Sequence, residues 1–148
     1  MDLFSKSLGH GEGGNEKIRA AMREEIRSEV NIAECIDAHM QWKERLQRYL
    51  EGTSTEQLDP AVICREDQCA LGKWIQGPAI KHFRGDDDFR KLRSDHSRFH
   101  LIAGRVVKKV QENDRAASYA LFENEYARVS REIIKDLTEL DKALHRKD

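Results

Sequence analysis

The stretch Asp86-Asp87-Asp88-Phe89-Arg90-Lys91-Leu92-Arg93-Ser94-Asp95-His96-Ser97-Arg98-Phe99-His100-Leu101-Ile102-Ala103-Gly104-Arg105-Val106-Val107-Lys108-Lys109-Val110 decides the fold class. Phe89, Leu92, Phe99, Ala103, Val106/Val107 and Val110 recur at the three-four spacing of one helix face. The aspartates that follow Gly85 favour the positive end of a helix dipole, so a long helix starts there. Two residues intrude on its apolar seam: His96 and His100, four apart and on one face.

On the N-terminal side, the connector Thr53 to Gly85 is irregular with short helical pieces. Asp59-Pro60 reads as an N-cap followed by Pro at N1, and Gly77-Pro78 as a turn. Before it, residues 15 to 51 read as helix. Ile32, Cys35/Ile36, His39, Lys43, Leu46 and Tyr49/Leu50 form the seam, and Gly52 stands where a helix C′ residue belongs. On the C-terminal side, Asn113-Asp114 breaks the pattern and caps a third long helix. Its seam is Tyr119, Phe122, Tyr126, Val129, Ile133, Leu137, Leu140 and Leu144. No strand-like alternation of useful length appears. The expectation is an all-α, antiparallel four-helix-type bundle with long helices and a partly helical connector. Residues 1–14 read as a flexible tail and 15–148 as the bundle. The stretch Ile18, Met22, Ile26, Val30 overhangs the seam and resembles a dimerisation or docking arm.

Composition narrows the function. The 26 Lys+Arg and 27 Asp+Glu nearly cancel, which argues against a nucleic-acid surface. No stretch approaches the ~20 apolar residues of a membrane span, and Met1 to Asn15 lacks the apolar core of a secretory signal. Three cysteines are an odd count and suggest no secreted disulfide framework, so the expected location is the cytoplasm.

His39, His96 and His100 all sit where a bundle buries apolar groups. Buried imidazoles are costly unless hydrogen-bonded or bound to a metal. Cys69, opening Cys69-Ala70-Leu71-Gly72-Lys73-Trp74, supplies a fourth donor. One thiolate and three neutral imidazoles make a tetrahedral site suited to Zn²⁺. Four protein ligands leave no open position for an activated water, which argues against hydrolytic zinc chemistry, and the expectation is a protein that is not an enzyme. Gly72 allows close backbone approach, and Trp74 can seal the neighbourhood from water.

His39-Met40-Gln41-Trp42, Cys69-Ala70-Leu71-Gly72-Lys73-Trp74 and His96-Ser97-Arg98-Phe99-His100 resemble, in order and spacing, the signature of the chemoreceptor zinc-binding domain. The resemblance covers roughly Ile32 to Leu144. It implies a zinc-bound helical bundle, often a homodimer, with His39, Cys69, His96 and His100 as ligands. It further implies a regulatory role in bacterial signalling, attached to a chemoreceptor or a cyclic-di-GMP signalling protein, and association with zinc sensing and detection of hypochlorous acid. Here no output module follows the bundle, so the expectation is either a stand-alone family member, the reading preferred, or a domain excised from a longer protein. The other readings are a structural zinc-stabilised interaction module and a hemerythrin-like redox metalloprotein. The latter needs inward carboxylates that the seams lack.

Cys64, five residues before Cys69, is either a small loop residue or a resolving thiol for an oxidised Cys69; the loop residue is the reading preferred. Cys35, one turn before His39, either lines the site or is core. Trp42 is expected to pack beside the site. His10, His82 and His145 fall off the pattern and are read as non-ligands.

Overall fold

Asn31 divides what the seam presents as one N-terminal helix. Val30 is extended, and the Asn31 side chain accepts a hydrogen bond from Glu34 N–H as the N-cap of a new helix. The computed structural model describes residues 18–147; the tail expected at 1–14 and His10 lie outside them. Helix α1 is Ala20–Glu29, and α2 is Ile32–Glu51, ended by Gly52 in the left-handed conformation (φ 79°). The connector holds α3 (Pro60–Ile63), a 3₁₀ turn at Glu66–Gln68, α4 (Ala70–Ile75) and α5 (Ala79–Phe83). Helix α6 is Asp87–Gln111, capped by Asp86, whose side chain accepts from Phe89 N–H. Asp114 caps α7 (Arg115–Leu121), which runs through a π turn at Phe122–Tyr126 into α8 (Ala127–Leu144). There is no strand among the described residues, and the expected all-α fold is borne out. No described helix is long and apolar enough to cross a membrane.

The direction of the helices follows from their contacts. His39 meets His96 and His100, while Tyr49 near the end of α2 accepts from Gln111 at the end of α6. Helices α2 and α6 therefore run the same way, because the long connector carries the chain back to its starting end. The short turn at Asn113 reverses it: Ser118 bonds the carbonyl of Val106, Tyr126 packs on Phe99 and Lys91 reaches Asp136. So α7–α8 lies antiparallel to both. The core between them is Leu46, Leu50, Leu92, Phe99, Val106, Val107, Ile133, Leu137 and Leu140, all essentially inaccessible. One position and one segment differ from the expected seams. Lys43 is exposed, since an ammonium gains nothing from the apolar interface. The segment expected to overhang folds back: Ile18 and Ile26 are buried in this chain's own core, and the Arg27 guanidinium bonds the carbonyl of Leu144.

One polar cluster joins α6 to α8. Lys91 Nζ pairs with Asp95 (2.7 Å), Glu132 (3.0 Å) and Asp136 (3.0 Å). Asp136 is buried, and its Oδ2 has no partner while the group is ionised. Burial, with Asp95 beside it, pushes the Asp136 carboxyl well above the ordinary carboxylate range, against the opposing pull of Lys91. The folded state thus holds an extra proton above the ordinary carboxylate range. Stability therefore falls as pH rises through this window. Asp136→Asn should flatten the decline between pH 5 and pH 9 in urea denaturation; an unchanged slope would remove Asp136 from the account.

Candidate metal centre

Each donor is placed by a local structural reason. His39 sits on the inward face of α2, and His96 and His100 sit one turn apart on the inward face of α6. All three are at most 4% exposed. Cys69 is the N-cap of α4, with its sulfur accepting from Gly72 N–H at 3.4 Å. Gly72 is required by space. A Cβ there would stand 1.7 Å from the Glu66 carbonyl oxygen and 3.2 Å from His96 Cε1. The 3₁₀ turn and α4 thus pack backbone against backbone, which presses the Cys69 sulfur onto the imidazoles.

The donor atoms converge. Cys69 Sγ lies 3.2 Å from His96 Nε2 and 3.6 Å from His100 Nε2, and the two Nε2 atoms are 3.1 Å apart. One atom from each of His39, Cys69, His96 and His100 fits within 4.8 Å of the rest. A zinc tetrahedron with bonds of roughly 2.0–2.3 Å has edges of roughly 3.3–3.8 Å, close to this spacing. The tautomers agree as well. His39 Nδ1 donates to the Cys35 carbonyl (2.7 Å) and His100 Nδ1 to the Ile63 carbonyl (3.1 Å). In both rings this leaves the Nε2 lone pair for the centre. His39 Nε2 is buried with no hydrogen-bond partner, as expected of a ligand atom.

Charge supports the same reading. Burial pushes His39 down to about 4 and His96 down to about 2, neighbouring imidazoles adding to both, and burial also lowers His100. All three are neutral near pH 7, the form that ligates. Burial raises the Cys69 thiol, opposed by N–H groups of Gly72 and Leu71. A divalent cation at the centre would hold it as thiolate. The donor set of one sulfur and three imidazoles fits Zn²⁺.

The other sequence candidates fall outward. Trp42 lines a cavity of about 430 Å³ shared with Cys69 and His100, with the Arg45 guanidinium 3.8 Å above its ring. Trp74 is buried, and its Nε1 donates to Glu29 at 3.0 Å. His82 bonds the same carboxylate at 3.1 Å. Burial opposes ionisation of Glu29, but the Trp74 and His82 hydrogen bonds outweigh it and hold the carboxyl below its ordinary range. Glu25, Glu29 and His82 also cluster, yet Lys81 already pairs with Glu25 at 2.9 Å and Glu29 at 3.4 Å, which makes this an ion-pair group. His145 is exposed near the end of α8. His82→Ala should leave the zinc content unchanged and cost about 1 kcal/mol in a thermal melt; lost zinc would show that the ligand register is wrong. Sequence reasoning missed Glu29, which carried no signal, and the carbonyls of Cys35 and Ile63, which any residue could supply.

No curated protein and no solved structure matches this chain. Residues 39–107 match the family model of the chemoreceptor zinc-binding domain, and the four converging donors all fall within that span. Over these residues the chain is similar to the chemoreceptor zinc-binding domain, the family that the His39, Cys69 and His96 motifs resemble.

Proposed function

We propose that the chain is a cytoplasmic regulatory module, not an enzyme, that holds one Zn²⁺ through His39, Cys69, His96 and His100. The module responds to zinc availability or to oxidation of Cys69. The observation that carries this reading is the asymmetry of the donor set. Three imidazoles ride on long, well-packed helices, whereas the thiolate belongs to the short helical pieces of the connector. Loss of zinc, or of sulfur donor power, therefore frees the connector first. A zinc-bound thiolate is also the form that oxidants attack.

A route for the change supports the reading. Trp74 lies five residues after Cys69 and donates to Glu29 at the end of α1. A shift of α4 is thereby passed to the N-terminal helix. The output is a homodimer rearrangement or an altered contact with a chemoreceptor or cyclic-di-GMP signalling protein. The near-balance of 26 Lys+Arg and 27 Asp+Glu leaves nucleic acid without support as a partner.

The test is zinc content and affinity by competition chelation, before and after one equivalent of hypochlorous acid. One tightly held zinc, loosened by oxidant only when Cys69 is present, is the result expected of a redox switch. Zinc that exchanges at cellular concentrations and ignores oxidant is the result expected of a zinc sensor. Zinc that neither exchanges nor responds would overturn both in favour of a structural bundle.

A further inference from the structure

Two cysteines compete as partner for Cys69, and they face different spaces. Cys64 is exposed at the end of α3, with its Sγ donating to the Ala61 carbonyl at 3.4 Å. Its Cβ approaches Gly104 of α6, and it lines a cavity of about 630 Å³ with Pro60, Leu101 and Arg105. Cys69 lines no part of that cavity. Cys35, in contrast, is buried on α2 and shares a cavity of about 360 Å³ with Cys69. Ala38 and His39 continue the α2 wall, Ala70 and Leu71 the opposite wall, and Glu29 and Glu34 lie along it.

We infer that Cys35 is the resolving thiol of Cys69: once oxidised, Cys69 closes this cavity with a Cys35–Cys69 disulfide. The inference rests on the Cys69 oxidation proposed above. In the first step the Cys69 thiolate attacks hypochlorous acid, giving Cys69–S–OH and chloride. In the second the Cys35 sulfur attacks the Cys69 sulfur. The S–S bond forms, the S–O bond breaks, and hydroxide leaves with the Cys35 thiol proton as water. Two electrons pass from the sulfur pair to the oxidant. A disulfide needs Cβ atoms roughly 3.5–4.5 Å apart, so closure draws the start of α4 toward α2 and away from His96 and His100. Thiol exchange reverses the bond, which makes the zinc loss recoverable. Buried, Cys35 is a poor first target for the oxidant; its role begins after Cys69 has reacted.

The experiment treats the zinc-loaded full chain with one equivalent of hypochlorous acid, blocks free thiols, and maps peptides by mass spectrometry. The expected result is two thiols lost per oxidant, a Cys35–Cys69 cross-linked peptide and a free Cys64. Cys64→Ser should give the same map. Cys35→Ser, with Cys35→Ala as a second variant, should lose one thiol and leave Cys69 trappable by dimedone. Dithiothreitol should restore one zinc per wild-type chain. A Cys64–Cys69 link, a link between two chains, or a persistent sulfenate beside a free Cys35 would overturn this inference alone. An unoxidised Cys69 would overturn the redox reading with it.

Discussion

Cys69→Ala protein should bind zinc roughly a hundred- to a thousandfold more weakly than the wild type. Structural zinc sites bind with roughly 10–16 kcal/mol, and one ligand in four carries about a quarter of that. The loss has two parts. The sulfur is the only donor that brings negative charge, so without it the cation would be buried among three neutral rings. The same sulfur accepts from Gly72 N–H, so α4 also loses its cap and the connector loosens. Competition against a chromophoric chelator measures the effect, with Cys64→Ala as the control that should bind as the wild type does. Equal affinity in Cys69→Ala and wild type would refute the ligand set.

Gly72→Ala should be the most damaging glycine-to-alanine change among the described residues. Its Cβ would meet the Glu66 carbonyl oxygen at 1.7 Å, a backbone atom that no rotamer change can move. Relief requires the 3₁₀ turn and α4 to part, which displaces Cys69 from His96 and His100. We expect a cost of about 3 kcal/mol, or a fall in Tm of about 6–12 °C for a chain of this size, together with weakened zinc binding. Gly85→Ala separates space from conformation. Position 85 has open space but a φ of 79°, so the change should cost about 1 kcal/mol by backbone strain and leave zinc binding intact. If Gly72→Ala melts within a degree or two of the wild type, the close packing of α4 on Glu66 is not what positions Cys69.

Much of the centre was legible because its signals are local or periodic. The seam of α6 with His96 and His100 inside it is a property of a single helix. The caps at Asp59, Asp86 and Asp114 and the left-handed Gly52 depend on a few neighbouring residues. The break at Val30–Asn31 was also local. Asn31-Ile32-Ala33-Glu34 has the spacing of an N-cap with an acidic residue in the first turn, but the apolar period running through it masked the signal. The π turn at Phe122–Tyr126 shows in no residue type.

The sequence by itself determined the apolar seams of the long helices and the inward histidines, which follow from spacing along one element, and offered Cys69 as the thiol of a zinc-type donor set. Only the tertiary structure decided the parallel run of α2 and α6, the return of α1 onto its own core, and the Glu29 clamp on Trp74 and His82. It also decided which cysteine faces Cys69. Sequence spacing favours Cys64, five residues away, over Cys35, thirty-four away. Packing reverses that order: Gly104 lets α3 turn Cys64 toward α6, while the return of the connector brings Cys69 to the cavity beside α2. Separation along the chain limits contact only within one element; between elements, the surfaces that close the core choose the neighbours.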